Sequence, residues 1–113
     1  MSRSPAGLTL QQRLILDHLR HTRGAVCSMA RLVAVVYGDR HDGGPLAPNR
    51  TIRVQMHHIR RWLAPRGVSI LTIGMASGTL GYMIDTEDYE RLEQAVSELQ
   101  RIDVDLARAR EPR

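Results

Sequence analysis

The sequence predicts a mainly α-helical fold with a small β-hairpin and an extra C-terminal helix. Two patterns carry that expectation. Apolar residues recur at helical spacing in four segments, flanked by capping residues and by Gly or Pro breakers. Two short apolar runs near the middle of the chain flank a glycine-bounded tip. The chain has 113 residues, 42% of them hydrophobic, which is enough for one core without disulfides or metal. It contains no Phe, one Trp and three Tyr, so that core must be built from Leu, Ile, Val and Met.

Residues 1–7 are small and polar and predict a flexible arm whose only charge is Arg3. Thr9 and Gln12 form a T-x-x-Q capping box that opens a helix over residues 10–22. Ile15, Leu16 and Leu19 give it an apolar side, and Gly24 supplies the stop. Ala25 to Cys27 is long enough only for a bridging strand. Ser28 caps a second helix, Met29 to Tyr37, which buries Leu32, Val33, Val36 and Tyr37 and ends at Gly38. It is rich in β-branched residues, so its caps and spacing argue for helix more than propensity does. Residues 39–48 form a turn-rich loop. A third helix, 49–63, is stopped by Pro65 and Gly67. Val68 to Ile73 and Thr79 to Ile84 then make a hairpin over 68–84. Thr86 caps the last helix, with Glu87 and Asp88 in the first turn where the helix dipole favours acids.

The charge is placed unevenly. Residues 1–42 carry net +3, residues 43–84 carry net +5 with no Asp or Glu, and residues 85–113 carry net −4. All sixteen basic residues are Arg, a side chain whose planar fork suits phosphate and guanine. Four of them lie in NRTIRVQMHHIRRWL, Asn49 to Leu63. There Ile52, Met56, Ile59 and Leu63 share one stripe. Arg50, Arg53, Val54, His57, Arg60 and Arg61 occupy the opposite arc of about 120°. A solvated helix face normally mixes signs, because acid–base pairs one turn apart stabilise it. This face has no acid to pair with, which is the footprint of a helix that enters the DNA major groove.

The order helix, short strand, helix, loop, basic helix, hairpin is that of a winged helix-turn-helix. The residues also resemble the response-regulator-type winged-helix family, the OmpR/PhoB-like effector domain. The similarity runs through Leu8-Thr9, Gln12, Ile15-Leu16, Leu19, Gly24, Val26, Ser28, Leu32 and Val36-Tyr37. It continues through Arg50 to Leu63 and closes on Gly81-Tyr82, covering residues 8–84. The resemblance implies that Arg50, Thr51, Val54, His57, His58 and Arg60 occupy positions that touch DNA, and that loop 39–48 contacts RNA polymerase. Arg53 stands where the family carries Asp. The wing is longer than usual and lacks the family's tip arginine, which leaves Ser77 and Thr79 as its polar candidates for phosphate contact. Seven residues before Leu8 leave no room for the family's N-terminal sheet or a receiver domain, so a freestanding regulator is expected.

Other chemistries find little support. His18 and His21 share a helix face and His41 lies in the loop. His57 and His58 diverge by about 100° and cannot chelate together from one helix. Neither metal nor cofactor is expected. Ser28 reads as a cap and Cys27 as a small buried residue, and no glycine-rich phosphate loop is present, so enzymatic activity is not expected. Trp62 reads as cover for the edge of the core and Met75 as an exposed loop residue. The lone Cys27 and the lack of a membrane-length apolar run or signal peptide point to the cytoplasm.

These readings divide the chain into an arm (1–7), a winged helix-turn-helix domain (8–84) and a C-terminal helix (85–113). They predict a sequence-specific regulator of transcription that binds double-stranded DNA and is of bacterial or phage origin. Repression by site occlusion is the simpler mode, since no activation domain is visible. The seam Tyr89, Leu92, Val96, Leu99 and Leu106 suggests a homodimer through residues 86–110. A brace packed back on its own domain is the competing expectation. The alternative function is a winged-helix protein-interaction module of a phage or mobile-element assembly or replication complex.

Overall fold

The computed structural model describes residues 7–38, 47–75 and 78–110, with the backbone alone for Met75, Thr79 and 103–110. Most of the arm, loop residues 39–46 and Ser77 therefore lie outside the described residues, as does the side chain of Thr79.

Helix α1 (Leu10–His21) starts from the predicted capping box. The Gln12 N–H donates to Thr9 Oγ1 at 3.2 Å, and the Thr9 N–H donates to Gln12 Oε1 at 2.9 Å. A two-residue strand, β1 (Cys27–Ser28), leads into α2 (Met29–Tyr37), where the Ser28 hydroxyl accepts from the Arg31 N–H. Helix α3 (Pro48–Leu63) begins one residue before the predicted start, with Pro48 in the first turn, where its missing N–H costs nothing. It tightens into a 3-10 turn, Ala64–Arg66, and stops at Gly67 in the left-handed region with φ 76°.

Strands β2 (Ile70–Met75) and β3 (Gly78–Ile84) form the hairpin. They reach nearer the tip than the apolar runs suggested, because backbone pairing continues through Gly74 and Met75. The antiparallel sheet has the order β1-β3-β2, so β2 is an edge. Its register shifts between Ile73↔Gly81 and Gly74↔Thr79, which leaves Leu80 as an extra, 53% exposed residue on β3. Gly81 sits where β1 crosses: a Cβ there would lie 2.3 Å from the Cys27 carbonyl oxygen.

The last helix is capped differently from the expectation. Asp85, not Thr86, accepts the Glu87 N–H, and Thr86–Asp88 is a 3-10 turn that precedes α4 (Tyr89–Arg110). A carboxylate two residues before a free N–H closes the tighter turn first, and Asp88 then binds the Ser69 N–H at 2.8 Å.

One apolar cluster joins all of these elements. Leu8, Ile15, Leu16 and Leu19 meet Leu32 of α2 and the stripe Ile52, Met56, Ile59 and Leu63 of α3. Val68, Ile70, Tyr82 and Ile84 close it from the wing, and Tyr89, Leu92, Ala95 and Leu99 close it from α4. The seam offered above to a second copy is thus used by the chain itself from Tyr89 to Leu99. The architecture is mainly α with a small sheet and an added C-terminal helix, in the topology of a winged helix-turn-helix.

Candidate nucleic-acid interface

The α3 stripe is fully buried, and this fixes which side of the helix faces out. Ile52, Met56, Ile59 and Leu63 all have 0% exposure. Arg50, Arg61, Val54 and His57 lie opposite and form an outward crest, all exposed. Val54 is 51% exposed at its centre. Among the described residues no carboxylate pairs with Arg50, Arg53 or Arg61. The His57 and His58 rings meet edge to face, with centroids 5.8 Å apart.

The flanks of the crest are tied into the protein. On one side lies exposed Arg53, followed by half-buried Arg60. The Arg60 guanidinium donates to the Ile70 carbonyl from Nε at 3.3 Å and from Nη2 at 3.0 Å, and Nη2 also donates to Thr72 Oγ1. On the other side Thr51 spends its hydroxyl on the Ala47 carbonyl, 3.1 Å away. His58 is half-buried and lines a small cleft with Gly7, Arg61 and Trp62. The structure therefore brings Arg50, Arg53, Val54, His57 and Arg61 onto one outward face, with Thr51, His58 and Arg60 at its margins. Ser77 and the side chain of Thr79 lie outside the described residues.

A buried amide chain behind this face is absent from the sequence reading. Gln55 is 6% exposed and Gln12 is 3% exposed. Gln12 Nε2 donates to Gln55 Oε1 at 2.8 Å, and Gln55 Nε2 donates to Gln11 Oε1 at 2.9 Å. The Gln12 side chain thus caps α1 and also pins α3, fixing the roll of the basic helix about its axis. The signal was available: Gln55 falls within about 60° of Ile52 on the helical wheel. A polar side chain that close to a buried stripe needs a partner.

Acids gather in the C-terminal segment, where α4 clamps the domain. Glu93 binds Arg20 at 2.7 Å, and Glu98 binds Arg66 at 3.0 Å. These hydrogen bonds hold both carboxyls below the usual Glu range. Arg66 also donates to the Trp62 carbonyl and stacks 3.9 Å from the Trp62 ring. It is thereby engaged away from the crest, and Trp62 is 9% exposed, in the packing role expected of it. No group of three His, Cys, Asp or Glu residues suited to a metal occurs among the described residues. Nor is any helix among them long and apolar enough to cross a membrane.

Comparison with protein-family models, with curated proteins and with solved structures finds no match for this chain.

Proposed function

We propose that this protein is a sequence-specific regulator that binds double-stranded DNA by laying α3 in the major groove, with the β2–β3 hairpin gripping backbone beside it. The observation that carries this reading is the crest of α3: exposed Arg50, Arg53, His57 and Arg61 around Val54, with no acid among residues 43–84. Unpaired arginines suit phosphate and guanine O6/N7, and an exposed Val suits a thymine methyl. The resemblance to response-regulator effector domains over residues 8–84 supports the same reading. Lacking the family's tip arginine, the wing offers Ser77 and Thr79 as its polar candidates for phosphate contact, and on the resemblance loop 39–48 remains the segment for a polymerase contact. Site occlusion needs nothing beyond this binding, so repression is the expected mode. The proposal assigns no catalytic step to the chain.

A homodimer remains part of the proposal, with a changed interface. Leu92 and Leu99 are inside the domain, so the contact falls to the distal part of α4, where Ile102 and Leu106 continue the spacing. Two copies joined there would offer two α3 crests to half-sites about one DNA turn apart. Light scattering on the wild type and on Ile102→Glu/Leu106→Glu tests this: the pair should halve a dimer mass while the monomer stays folded by circular dichroism, and should abolish the concentration dependence of the melting temperature.

Selection from a random duplex library tests the function itself. Recovery of one motif, bound far more tightly than random duplex, is the expected result. A protein that enriches no motif and ignores duplex DNA, yet captures an acidic polypeptide, would favour the interaction-module alternative.

A further inference from the structure

Arg60 lies at one end of the predicted arginine arc, where the resemblance would make it another DNA contact. Its surroundings point elsewhere. The Ser69 carbonyl accepts the Asp85 N–H at 3.1 Å and so faces across the hairpin. Carbonyls alternate in direction along a strand, so the Ile70 carbonyl points out of the sheet at its β2 edge. That outward oxygen receives two N–H groups from Arg60, while Thr72 Oγ1 receives another. The guanidinium carbon also lies 5.6 Å from the centre of the Tyr82 ring on β3. One side chain of α3 thus touches both wing strands, and three of its five N–H donors are used.

We propose that Arg60 is a positioning residue, a strut that fixes the wing against α3 so that both meet one stretch of duplex at a set spacing. The inference rests on the DNA-binding reading above and makes it more specific. The only covalent link from α3 to β2 is the short segment 64–69, which includes the left-handed Gly67. The base of the hairpin is also held by the β1–β3 pairing and by buried Ile70, Tyr82 and Ile84, so loss of the strut would loosen the β2 edge against α3, and each orientation that edge sampled would weaken simultaneous contact by helix and wing. The bidentate fork is what the position needs. A lysine supplies the same charge without the paired donors that hold Ile70 and Thr72 together. By covering an outward carbonyl, Arg60 also blunts an edge strand open to pairing with another chain.

The test compares Arg60→Lys, Arg60→Ala and Thr72→Val with Arg61→Ala, on the protein's selected duplex and on random duplex. Hydroxyl-radical footprints and salt titrations report on DNA. Amide exchange of residues 70–75 and 78–84 reports on the free protein. A strut predicts that both Arg60 variants lose the part of the footprint made by the wing and keep the part made by α3. Affinity should fall about tenfold with little change in salt slope, and exchange in the hairpin should quicken. Thr72→Val should shift the same readouts in the same direction by less, and it introduces no charge change. General unfolding would instead weaken the whole footprint evenly. The proposal is overturned if Arg60→Ala flattens the log–log salt slope by about 0.9, as expected for Arg61→Ala, while Arg60→Lys restores full binding. If wild type binds no duplex, the DNA reading fails first. Hairpin exchange then still decides the strut, and an unchanged rate in Arg60→Ala rejects it.

Discussion

Val54 is an apolar side chain held half in water among arginines, and nothing in the packing of the domain requires it there. A base contact gives it a purpose. Val54→Ala should cost about 1–3 kcal/mol on the preferred site and spare random duplex, as measured by competition binding. Gln55 is the reverse case, a polar group placed inside. Gln55→Ala strands the buried amide of Gln12 and should cost about 1–3 kcal/mol in chemical denaturation, with a further loss in DNA binding as α3 gains freedom to roll. Such residues show where a sequence is readable. The Thr9–Gln12 box was legible because both partners lie within four residues. The use of Gln12 against Gln55 was not, because that bond spans 43 positions and depends on how two helices cross. The bonds of Arg60 to Ile70 and Thr72 were not legible for the same reason, since its helical-wheel position says nothing about the hairpin that folds beneath it.

At the scale of elements, α4 is a brace for its first three turns. Leu92 is fully buried, so Leu92→Ala should destabilise the whole domain by about 2–5 kcal/mol rather than release one helix. Periodicity predicted the apolar seam of α4 from Tyr89 to Leu99, with Leu106 outside the described side chains, and left its partner open, because a seam that packs at home and one that packs on a second copy have the same spacing. The ion pairs of this brace make it sensitive to acid. Glu93 and Glu98 titrate below the ordinary carboxyl range, so their contribution is complete above about pH 4.5 and is lost as pH falls through their depressed values. His18 on α1 adds an earlier step. Burial first, then the nearby Arg31 and His21, lower its pKa, and Nε2 has no partner among the described residues. The unfolded chain therefore takes up a proton before the folded one does. Stability should be level above about pH 6.5 and begin to fall below it. Melting temperatures in wild type and His18→Asn separate the two steps: the variant should keep the low-pH loss and lack the earlier one.

At the scale of the molecule, charge is sorted by segment. Residues 43–84 carry net +5 and residues 85–113 net −4. Glu93 and Glu98 of α4 pair with Arg20 and Arg66, and Asp88 in the turn before α4 pairs with Arg91, while the crest of α3 has no neutralising partner among the described residues. An approaching polyanion would meet its strongest attraction at this un-neutralised crest. The fold class could be read from the sequence because caps, breakers and stripes are local. The usable face of α3 could be read only in outline, because neutralisation and bracing are decided by elements far away in sequence. The most direct test is a salt titration of duplex DNA binding by wild type and by Arg53→Ala/Arg61→Ala. The wild type should bind with a steep negative slope of log K against log salt. The double variant should be shallower by about 1.8 if each arginine meets a phosphate. A wild-type affinity that is negligible or indifferent to salt, or a double variant with unchanged affinity and slope, would contradict the assignment of α3 to DNA.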